Sequence, residues 1–513
     1  MLHFLNVCSL ICAVCGSKIL GVSLTPSYSH QVVFQPLWKE LSLRGHQVTT
    51  ITAYPLKDPK LVNLTEIDLS VAQLSNQNIK KLVGVSQTNF IYEIYHMYTL
   101  MANVLDQQLE HPPVKQLIED ERAKFDLVIV EYLWSTPLAF ATRFNCPYIG
   151  IISLDGTNTI YRKIGNPTHS SLYPDNLLPF GDKLSLFQRV ISFIYEFGYD
   201  VYLEGVLQEM EQKVVHKHFG GHYPSIAEMA RNMSMLFVDA DPIFHHNRPL
   251  VPGVVQIGSG SHIAAAKPLP KELSMLDNAT NGFIYFSLGS NIKSEFLSLP
   301  TIKMILEVFA ELPYTVLWKF GEDIPNKPGN VIVSKWFPQR DVLGHPNIKL
   351  FITQGGMQSM DEAIYFRVPM VGIPIFFDQP HNIKKMVNRG FGLELDRNNL
   401  EKNSFKTTIL EVINNPRYRN TLTELADLAQ DQPMTGLERA VWWSEYVIRH
   451  KGAKHLRSPL LDLPWYQYLF LDVIAVLLLG LLAVLWFLVF TFRLLIKLIK
   501  WKIPTVSNEK KSS

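Results

Sequence analysis

The chain has 513 residues, of which 47% are hydrophobic and 18% charged, and its formal net charge is +2. This length exceeds that of one ordinary domain and predicts two, each with a sizeable core. The near-neutral charge balance gives no support for nucleic-acid binding, so we expect no nucleic-acid partner.

The first 17 residues form an apolar stretch that ends in small residues, MLHFLNVCSLICAVCGS. Such a stretch is typical of a signal peptide, and we expect cleavage near Gly16 or Ser17, although no Lys or Arg precedes the apolar run. Three of the four cysteines lie within residues 1–17. The mature chain therefore keeps only Cys146 and is expected to form no internal disulfide.

Short apolar runs alternate with helical stretches over residues 18–246. The runs KILGVSL, HQVTTITAY, FDLVIVE and CPYIGIIS predict strands, and WKELSLRG and PLAFATRF predict helices. Strands that are apolar throughout and alternate with helices are typical of a parallel sheet covered on both faces. The range is therefore assigned to a first doubly wound α/β domain. Pro36 implies that the first helix is either kinked or begins late.

One or two amphipathic helices are predicted over residues 183–219. Three interpretations are open for their apolar faces: packing on the core, contact with a membrane surface, and the shaping of a substrate pocket. Packing on the core is the simplest of the three.

A second alternation follows a Pro-, Gly- and Ser-rich stretch, residues 247–281, which predicts an interdomain linker. Over residues 282–450 the runs GFIYFSLGS, YTVLWKF, NVIVSKW, IKLFITQGG and VPMVGIP predict strands, and TIKMILEVFAEL and SMDEAIYF predict helices. The chain is therefore predicted to hold two doubly wound α/β domains in tandem.

Residues 473–492 contain no charged side chain and have the length that one membrane-spanning helix needs. A juxtamembrane segment, residues 451–472, precedes this span, and a basic tail, residues 493–513, follows it. The tail carries six Lys or Arg residues, against two in the twenty residues before the span. This bias predicts a single-pass type I protein with a cytosolic C-terminus. The final KKSS resembles a di-lysine signal for retrieval to the endoplasmic reticulum, and a solvated basic tail is the alternative. We therefore expect a lumenal body in the endoplasmic reticulum membrane.

Three Asn-X-Ser/Thr sequons, at Asn63, Asn232 and Asn278, are candidate glycosylation sites. Sequons this short also occur by chance, so we do not expect all three to be used.

Glycines and polar side chains gather where strands of the second predicted domain end. Ligands of open parallel sheets bind beyond the carboxyl ends of the strands. Ser290 follows one strand, and Gly355 and Gly356 lead from another into a helix N-terminus. The free N–H groups and dipole of such a terminus favour phosphate, and Gln358 and Ser359 offer further hydrogen bonds. An isolated glycine pair is more often an ordinary turn.

The segment WFPQRDVLGHP places an aromatic plane beside an amide. The Trp336 indole is able to stack on a nucleobase and Gln339 to pair with its polar edge, whereas an isolated tryptophan is by default a core residue. Glu362 offers a carboxylate to the hydroxyls of a ribose. Asp378 and Gln379 follow a further strand, where they are placed to hold sugar hydroxyls.

Residues 351–379, FITQGGMQSMDEAIYFRVPMVGIPIFFDQ, resemble the signature of the UDP-glycosyltransferases, and WFPQ lies upstream at the spacing usual for that family. The likeness extends through SHQ, LRGHQVT, the span and the tail, and is greatest to the insect branch of the membrane-bound, detoxifying enzymes. The resemblance implies a GT-B fold, in which two Rossmann-like domains face each other across a cleft. UDP-sugar would bind the C-terminal domain and a lipophilic acceptor the N-terminal domain.

The same resemblance implies a role for each donor-site residue. Trp336 stacks on uracil, Gln339 bonds the uracil edge, and Glu362 takes the ribose. The diphosphate is surrounded by Ser290, Gln354, Gly356 and Ser359, and the sugar is held by Asp378 and Gln379. Gln354 departs from the histidine frequent in the family, and its neutral amide donates to phosphate without adding charge.

The resemblance also implies a catalytic pair. The family places a histidine base just after the first strand, and His30 in SYSHQ matches it, although alone it would be taken for a loop residue. Its orienting acid ends a later strand, where FDLVIVE has Glu131 in place of the usual aspartate. A histidine is suited to take the proton of an acceptor hydroxyl near pH 7, and a carboxylate fixes its tautomer. Direct displacement of UDP then inverts the anomeric carbon. Glu131 is one methylene longer than aspartate and reaches His30 only if the backbone gives room.

We therefore expect transfer of a hexose, by resemblance glucose, from a UDP-sugar to hydroxyl groups of small lipophilic compounds. No metal and no cofactor are expected, since the UDP-sugar is a co-substrate. The alternatives are glucuronosyl transfer, a membrane-lipid acceptor, and a catalytically silent protein that binds nucleotide sugar. The acceptor and the oligomeric state, a homo-oligomer included, stay open.

Overall fold

The computed structural model describes residues 16–72, 90–181, 183–200, 204–290, 297–375 and 377–502. The predicted signal peptide lies outside the described residues except for Gly16 and Ser17, and so do Lys510 and Lys511 of the tail. The chain forms two compact units, Met1–Ser458 and Pro459–Ser513.

Seven parallel strands form the first sheet, in the order β3-β2-β1-β4-β5-β6-β7. They are β1 (Lys18–Ser23), β2 (Gln47–Thr52), β3 (Leu64–Asp68), β4 (Leu127–Glu131), β5 (Tyr148–Ile152), β6 (Met235–Val238) and β7 (Val254–Gln256). Side chains alternate along a strand, so Leu20 enters the core on one face of the sheet and Ile19 the core on the other. Both faces are therefore covered.

Nine helices between residues 28 and 231 accompany this sheet in the described residues. They are α1 (Tyr28–Val32), α2 (Gln35–Leu43), α3 (Phe90–Glu110), α4 (Pro112–Glu119), α5 (Ala139–Phe144), α6 (Asn158–Lys163), α7 (Leu186–Gly198), α8 (Glu204–Phe219) and α9 (Ile226–Arg231). Pro36 lies in the first turn of α2, where its missing N–H has no helical acceptor to lose. The helix therefore begins late and is not kinked by the proline.

The amphipathic residues 183–219 form two helices, α7 and α8. Val215 of α8 is fully buried in the first-domain core, which agrees with packing on the core. In contrast, large apolar side chains of α7 are exposed, namely Leu186, Phe187, Val190, Phe193, Ile194 and Phe197. Core packing therefore describes α8 better than α7.

Six parallel strands form the second sheet, in the order β10-β9-β8-β11-β12-β13. They are β8 (Phe283–Ser287), β9 (Thr315–Lys319), β10 (Val331–Ser334), β11 (Ile348–Thr353), β12 (Met370–Gly372) and β13 (Gly392–Glu394). Its helices are α10 (Leu299–Ala310), α11 (Gln339–Leu343), α12 (Met357–Tyr365), α13 (Gln379–Arg389), α14 (Lys402–Asn414) and α15 (Arg417–Gln430). Separate apolar cores cover its two faces. The predicted tandem of doubly wound α/β domains is confirmed.

Two of the predicted boundaries need correction. The linker assigned to residues 247–281 contains β7, which pairs with β6 and extends the first sheet. A three-residue strand is too short to show a pattern against its Pro and Gly neighbours. The last helix of the range 282–450, α16 (Gly436–Arg449), returns to the first domain, because Val441 and Val447 are buried in the same core as Ile129 of β4.

The C-terminal unit contains α17 (Trp465–Tyr468) and α18 (Leu471–Lys502). Within the described residues, one helix is long and apolar enough to cross a membrane, Leu471–Trp501, which fits a membrane anchor. The helix starts two residues before the predicted span 473–492 and ends nine residues after it. Good helix formers follow the span on the tail side, which explains the later end. Residues 451–458, assigned to the juxtamembrane segment, belong to the first unit, where Ala453 is buried.

Candidate active site

His30 lies in α1, just beyond the carboxyl end of β1. Its Nδ1 atom is 2.7 Å from Oγ of Ser153, which follows β5. Since β1 and β5 flank β4, their carboxyl ends bring the two side chains to one edge of the sheet. Burial lowers the pKa of His30 to about 4. The imidazole is therefore neutral at pH 7 and has one ring nitrogen able to accept a proton.

Glu131 is not hydrogen-bonded to His30 among the described residues, which corrects the predicted pair. Its carboxylate ends β4 and is buried, and Oε2 accepts a hydrogen bond of 2.9 Å from the backbone N–H of Thr25. Among the hydrogen bonds and ion pairs of the described residues, none joins Glu131 to His30. The longer side chain reaches the loop after β1 instead, and burial raises its pKa to about 7. Ser153, which sequence reasoning missed and which follows β5, is hydrogen-bonded to His30 where the acid was predicted to be.

A cavity of about 280 Å³ lies between the two sheets. His30 forms part of its first-domain side, and five predicted donor residues form part of its second-domain side: Gln354, Gly356, Gln358, Asp378 and Gln379. Much of the first-domain wall is apolar or aromatic, with Ile94, Met97, Tyr98, Met101, Trp134 and Leu207. The candidate base and the predicted donor residues therefore border one cavity, whose apolar wall leaves space for an apolar molecule.

The turn after β8 and the start of α12 form the predicted phosphate end of the site. Gly289 has a φ of +84°, and a Cβ there would lie 2.3 Å from Nε2 of Gln354, so this turn requires glycine. The Gln354 side chain is buried, and its Oε1 atom has no hydrogen-bond partner among the described residues. Gly356 caps α12, whose first N–H groups are free to meet an anion. Ser290 follows Gly289 and is half-buried.

Gln358 contacts the opposite domain. Its Nε2 atom donates a hydrogen bond of 2.5 Å to the carbonyl oxygen of Ser153. The predicted phosphate ligand thus bridges the two domains in this structure. It ties α12 to the residue whose hydroxyl group contacts His30.

Gln339, Ser359 and Glu362 lie together at the predicted nucleoside end. Gln339 Nε2 donates to Ser359 Oγ at 3.0 Å and to Glu362 Oε2 at 2.8 Å. Burial raises the pKa of Glu362 to about 7. The Trp336 indole is 54% exposed, and Tyr28 of the first domain meets it edge-on, with ring centres 5.5 Å apart. The indole is thus open to solvent and the Gln339 amide already donates to the Glu362 carboxylate, and the base and ribose contacts stay predictions.

Lys319 is a further donor-site candidate that sequence reasoning missed. It ends β9, its Nζ atom donates to the carbonyl oxygen of Gly289 at 3.1 Å, and it lies 4.1 Å from the centre of the Trp336 ring. Burial lowers its pKa to about 8. The available signal was its position at the carboxyl end of the predicted strand YTVLWKF. This lysine places an ammonium group beside the turn that contains Gly289.

Asp378 and Gln379 begin α13 and line the cavity. Asp378 Oδ2 accepts a hydrogen bond of 2.7 Å from Asn382, and burial raises the pKa of Asp378. Gln379 Oε1 accepts from the backbone N–H of Ile375 at 3.0 Å. The structure therefore brings both predicted sugar ligands to the cavity, with their side chains already oriented by neighbours.

The three sequons differ in accessibility. Asn63 uses its side-chain amide to donate to the carbonyl oxygen of Ser42 at 3.2 Å, whereas Asn232 and Asn278 are exposed. Because glycosylation modifies that amide nitrogen, we expect the two exposed sites to be modified in preference to Asn63.

A family model described as "UDP-glucoronosyl and UDP-glucosyl transferase" matches residues 17–502. The chain belongs to this family. UDP-glucosyltransferase 2 of Dactylopius coccus is 38% identical over 477 residues, which cover 90% of each chain. The ecdysteroid UDP-glucosyltransferase of Spodoptera littoralis nuclear polyhedrosis virus is 34% identical over 89% of this chain and 93% of its own. Human UDP-glucuronosyltransferase 2B7 is 31% identical over 90% of each.

Solved structures of glycosyltransferases share the fold. The glycosyltransferase of kitacinnamycin superposes with a TM-score of 0.56 at 18% identity, covering 85% of this chain and 99% of its own. The calicheamicin glycosyltransferase CalG4 gives a TM-score of 0.52 at 17% identity over 85% and 99%. This chain is therefore a UDP-glycosyltransferase with a GT-B fold and a C-terminal apolar helix.

Proposed function

We propose that this UDP-glycosyltransferase transfers glucose from UDP-glucose to hydroxyl groups of small lipophilic compounds, with His30 as the general base. The proposal is carried by the cavity that joins His30 to the donor residues of the second domain. The choice of glucose is supported by the insect and viral relatives whose names specify glucosyl transfer. The apolar first-domain wall supports a lipophilic acceptor.

In the proposed reaction, His30 Nδ1–H donates to Ser153 Oγ, so Nε2 carries the lone pair that takes the proton of the acceptor hydroxyl. The acceptor oxygen then bonds to the anomeric carbon. The bond from that carbon to the β-phosphate oxygen breaks, and its electron pair leaves with UDP. Attack from the face opposite UDP inverts the anomeric centre.

Charge that grows on the leaving diphosphate meets a positive environment at the start of α12. The free N–H groups at Gly356 and the helix dipole stabilise this charge. Lys319 adds a cation next to the same turn. We assign uracil to Trp336 and Gln339, the ribose to Glu362, and the glucose hydroxyls to Asp378 and Gln379.

We also infer that α18 anchors the enzyme in the endoplasmic reticulum membrane with the catalytic unit in the lumen. The apolar length of α18 supports the anchor, and the excess of basic residues after the predicted span supports this orientation. Protease protection in sealed microsomes tests it. The catalytic unit should be degraded only after the vesicles are opened with detergent.

A donor competition experiment tests the proposed reaction. Full-length enzyme in detergent is given UDP-glucose, UDP-glucuronate and UDP-galactose separately, each with a panel of phenols, and conjugates are identified by mass spectrometry. We expect glucosides, formed with the highest kcat/KM from UDP-glucose. Predominant glucuronides would overturn the donor assignment. Binding of UDP without any conjugate or UDP release, with phenols or lipid acceptors, would indicate a catalytically silent protein.

A further inference from the structure

A second cluster of ligating side chains involves three segments that are distant in the sequence. Asp239 follows β6 of the first sheet, His262 lies in the loop after β7, and Asp361 lies in α12 of the second domain. One ligand atom from each side chain lies within 4.8 Å of the other two. Of the described residues that line the cavity, none belongs to this cluster.

Two of these side chains are buried without any hydrogen-bond partner. The Asp239 and His262 side chains are 1% and 2% exposed, and Oδ2 of Asp239 lies 3.8 Å from Nδ1 of His262. Within the described part of the chain, both carboxylate oxygens and both ring nitrogens lack hydrogen bonds. Buried polar groups are almost always hydrogen-bonded, and an unpaired buried carboxylate is strongly destabilising. The pair therefore requires a partner of another kind.

The surrounding carboxyl groups make uncompensated negative charge at this cluster costly. Burial raises the pKa of Asp239, and Asp241 raises it further; burial likewise raises the pKa of Asp361, and Asp239 raises it further. Asp241 faces them as well, but it is hydrogen-bonded to backbone N–H groups and lies beside His245. Burial lowers the pKa of His262 to about 4, so its imidazole is neutral and has a lone pair to donate.

We propose that Asp239, His262 and Asp361 bind one divalent transition-metal ion, Zn²⁺ in preference to Mn²⁺. Two carboxylates balance the charge of such an ion. Imidazole with carboxylate suits these metals, whereas Ca²⁺ and Mg²⁺ favour oxygen ligands alone. Ligand atoms bind zinc at about 2.1 Å. The 3.8 Å between Asp239 and His262 is too long for a hydrogen bond and fits two ligands of one ion.

The position of the site indicates a structural role. The ion would connect the end of β6, the chain that links the domains, and helix α12. Asp361 immediately precedes Glu362, which lies at the nucleoside end of the donor site. Binding of the ion would therefore hold the donor helix against the first domain.

Metal analysis of the full-length enzyme tests the proposal. Tag-free protein in detergent is stripped with a chelator, dialysed against Zn²⁺ or Mn²⁺, and assayed by mass spectrometry for bound metal. We expect one Zn²⁺ per chain, a melting temperature that rises with Zn²⁺, and at least a ten-fold weaker affinity in Asp239→Asn and in His262→Gln. Asp277→Asn is the matched control, because Asp277 pairs with His345 at 3.0 Å outside the cluster and should leave Zn²⁺ binding unchanged.

Two outcomes would overturn the proposal. The first is that wild-type enzyme binds neither Zn²⁺ nor Mn²⁺ stoichiometrically, and this outcome needs no variant. The other is equal Zn²⁺ binding by wild type and by variants that still bind UDP and are therefore folded. If a shared proton were the partner of the two carboxyl groups, Asp239→Asn would melt at a higher temperature in chelator and Zn²⁺ would have no effect on wild type.

Discussion

The imidazole of His30 meets two requirements of a general base. It is neutral at physiological pH, although burial, which lowers its pKa to about 4, also makes it a weaker base than a free histidine, and Ser153 lies within hydrogen-bond distance of Nδ1. A hydroxyl group can orient the ring, but it both donates and accepts, so it does not select one tautomer as a carboxylate does, and it adds no charge to stabilise the imidazolium that forms. The structure therefore assigns orientation of the ring to Ser153 and leaves Glu131 a different role.

Replacing Ser153 with alanine should lower kcat for glucose transfer about ten-fold, the worth of one hydrogen bond, with little change in KM for UDP-glucose. The reason is that the ring loses the hydroxyl group that holds its orientation. Steady-state kinetics measure this effect. Ser23→Ala is the control, since Ser23 is equally buried in the same sheet and its hydroxyl has no partner among the described residues. Equal kcat values for the two variants would contradict the role of Ser153.

Glu131 should make the folded state less stable as the pH rises. Its folded pKa is about 7 against an ordinary value of 4.5, so folding favours the protonated carboxyl, and stability is lost as pH rises through this interval. Glu131→Gln mimics the protonated form and can still accept from Thr25. We expect equal stability near pH 4.5 and a variant more stable by about 3 kcal/mol at pH 8.

Chemical denaturation of wild type and Glu131→Gln at the two pH values measures this difference. A variant that is destabilised equally at both would show that Glu131 is ionised and paired in the folded enzyme.

At the scale of elements, the donor site is built from strand ends and helix starts of the second sheet. Trp336 follows β10 with its indole half-exposed, placed to stack on a base. Trp336→Ala should weaken UDP binding by about 1–3 kcal/mol, roughly 5- to 150-fold, and Trp336→Phe by less. Isothermal titration of UDP measures this. Trp442→Ala on α16 is the control, because Trp442 is similarly exposed at 44%. Equal losses in both alanine variants would argue against stacking.

Sequence patterns predicted the existence of strands and helices better than they predicted which elements pack together. The apolar runs at β1, β4, β8 and β11 are continuous, and the structure has a parallel strand at each of them. The strand β7 escaped notice because three residues carry no periodicity. The apolar face of α16 was visible, but nothing in it specifies which of the two sheets it covers.

The sequence does not reveal site residues whose role depends on a contact with a residue far away in the chain. Ser153 lacks a motif and gains a role only because β5 ends near β1. Likewise Asp239, His262 and Asp361 meet only once both domains have folded. The prediction for Glu131 was wrong because the register of β4 and β1 places its carboxylate beside the Thr25 backbone, which no side-chain pattern reveals.

At the scale of the whole molecule, α16 makes the two domains interdependent. Truncation after Ser458 removes the apolar anchor but keeps the first unit complete, so this form should fold and bind UDP. Truncation after residue 435 also removes α16, and with it buried Val441 and Val447. Burying each such side chain contributes about 1.5–3 kcal/mol, and a domain has only about 5–15 kcal/mol in total. We expect the shorter form to aggregate.

Size-exclusion chromatography and UDP titration of the two secreted forms test this dependence. A form ending at residue 435 that is monomeric and binds UDP as tightly as the form ending at Ser458 would show that α16 is dispensable.

The central claim is that His30 is the base for glucosyl transfer, and one comparison tests it most directly. Glucoside formation from UDP-glucose and a phenol is measured for wild type, His30→Gln and the exposed-site control His222→Gln, with UDP affinity measured in parallel. A general base contributes about 10²- to 10⁴-fold, so His30→Gln should lose at least 10²-fold in kcat while UDP affinity and the control stay unchanged. Turnover by His30→Gln at the wild-type rate would contradict the mechanism.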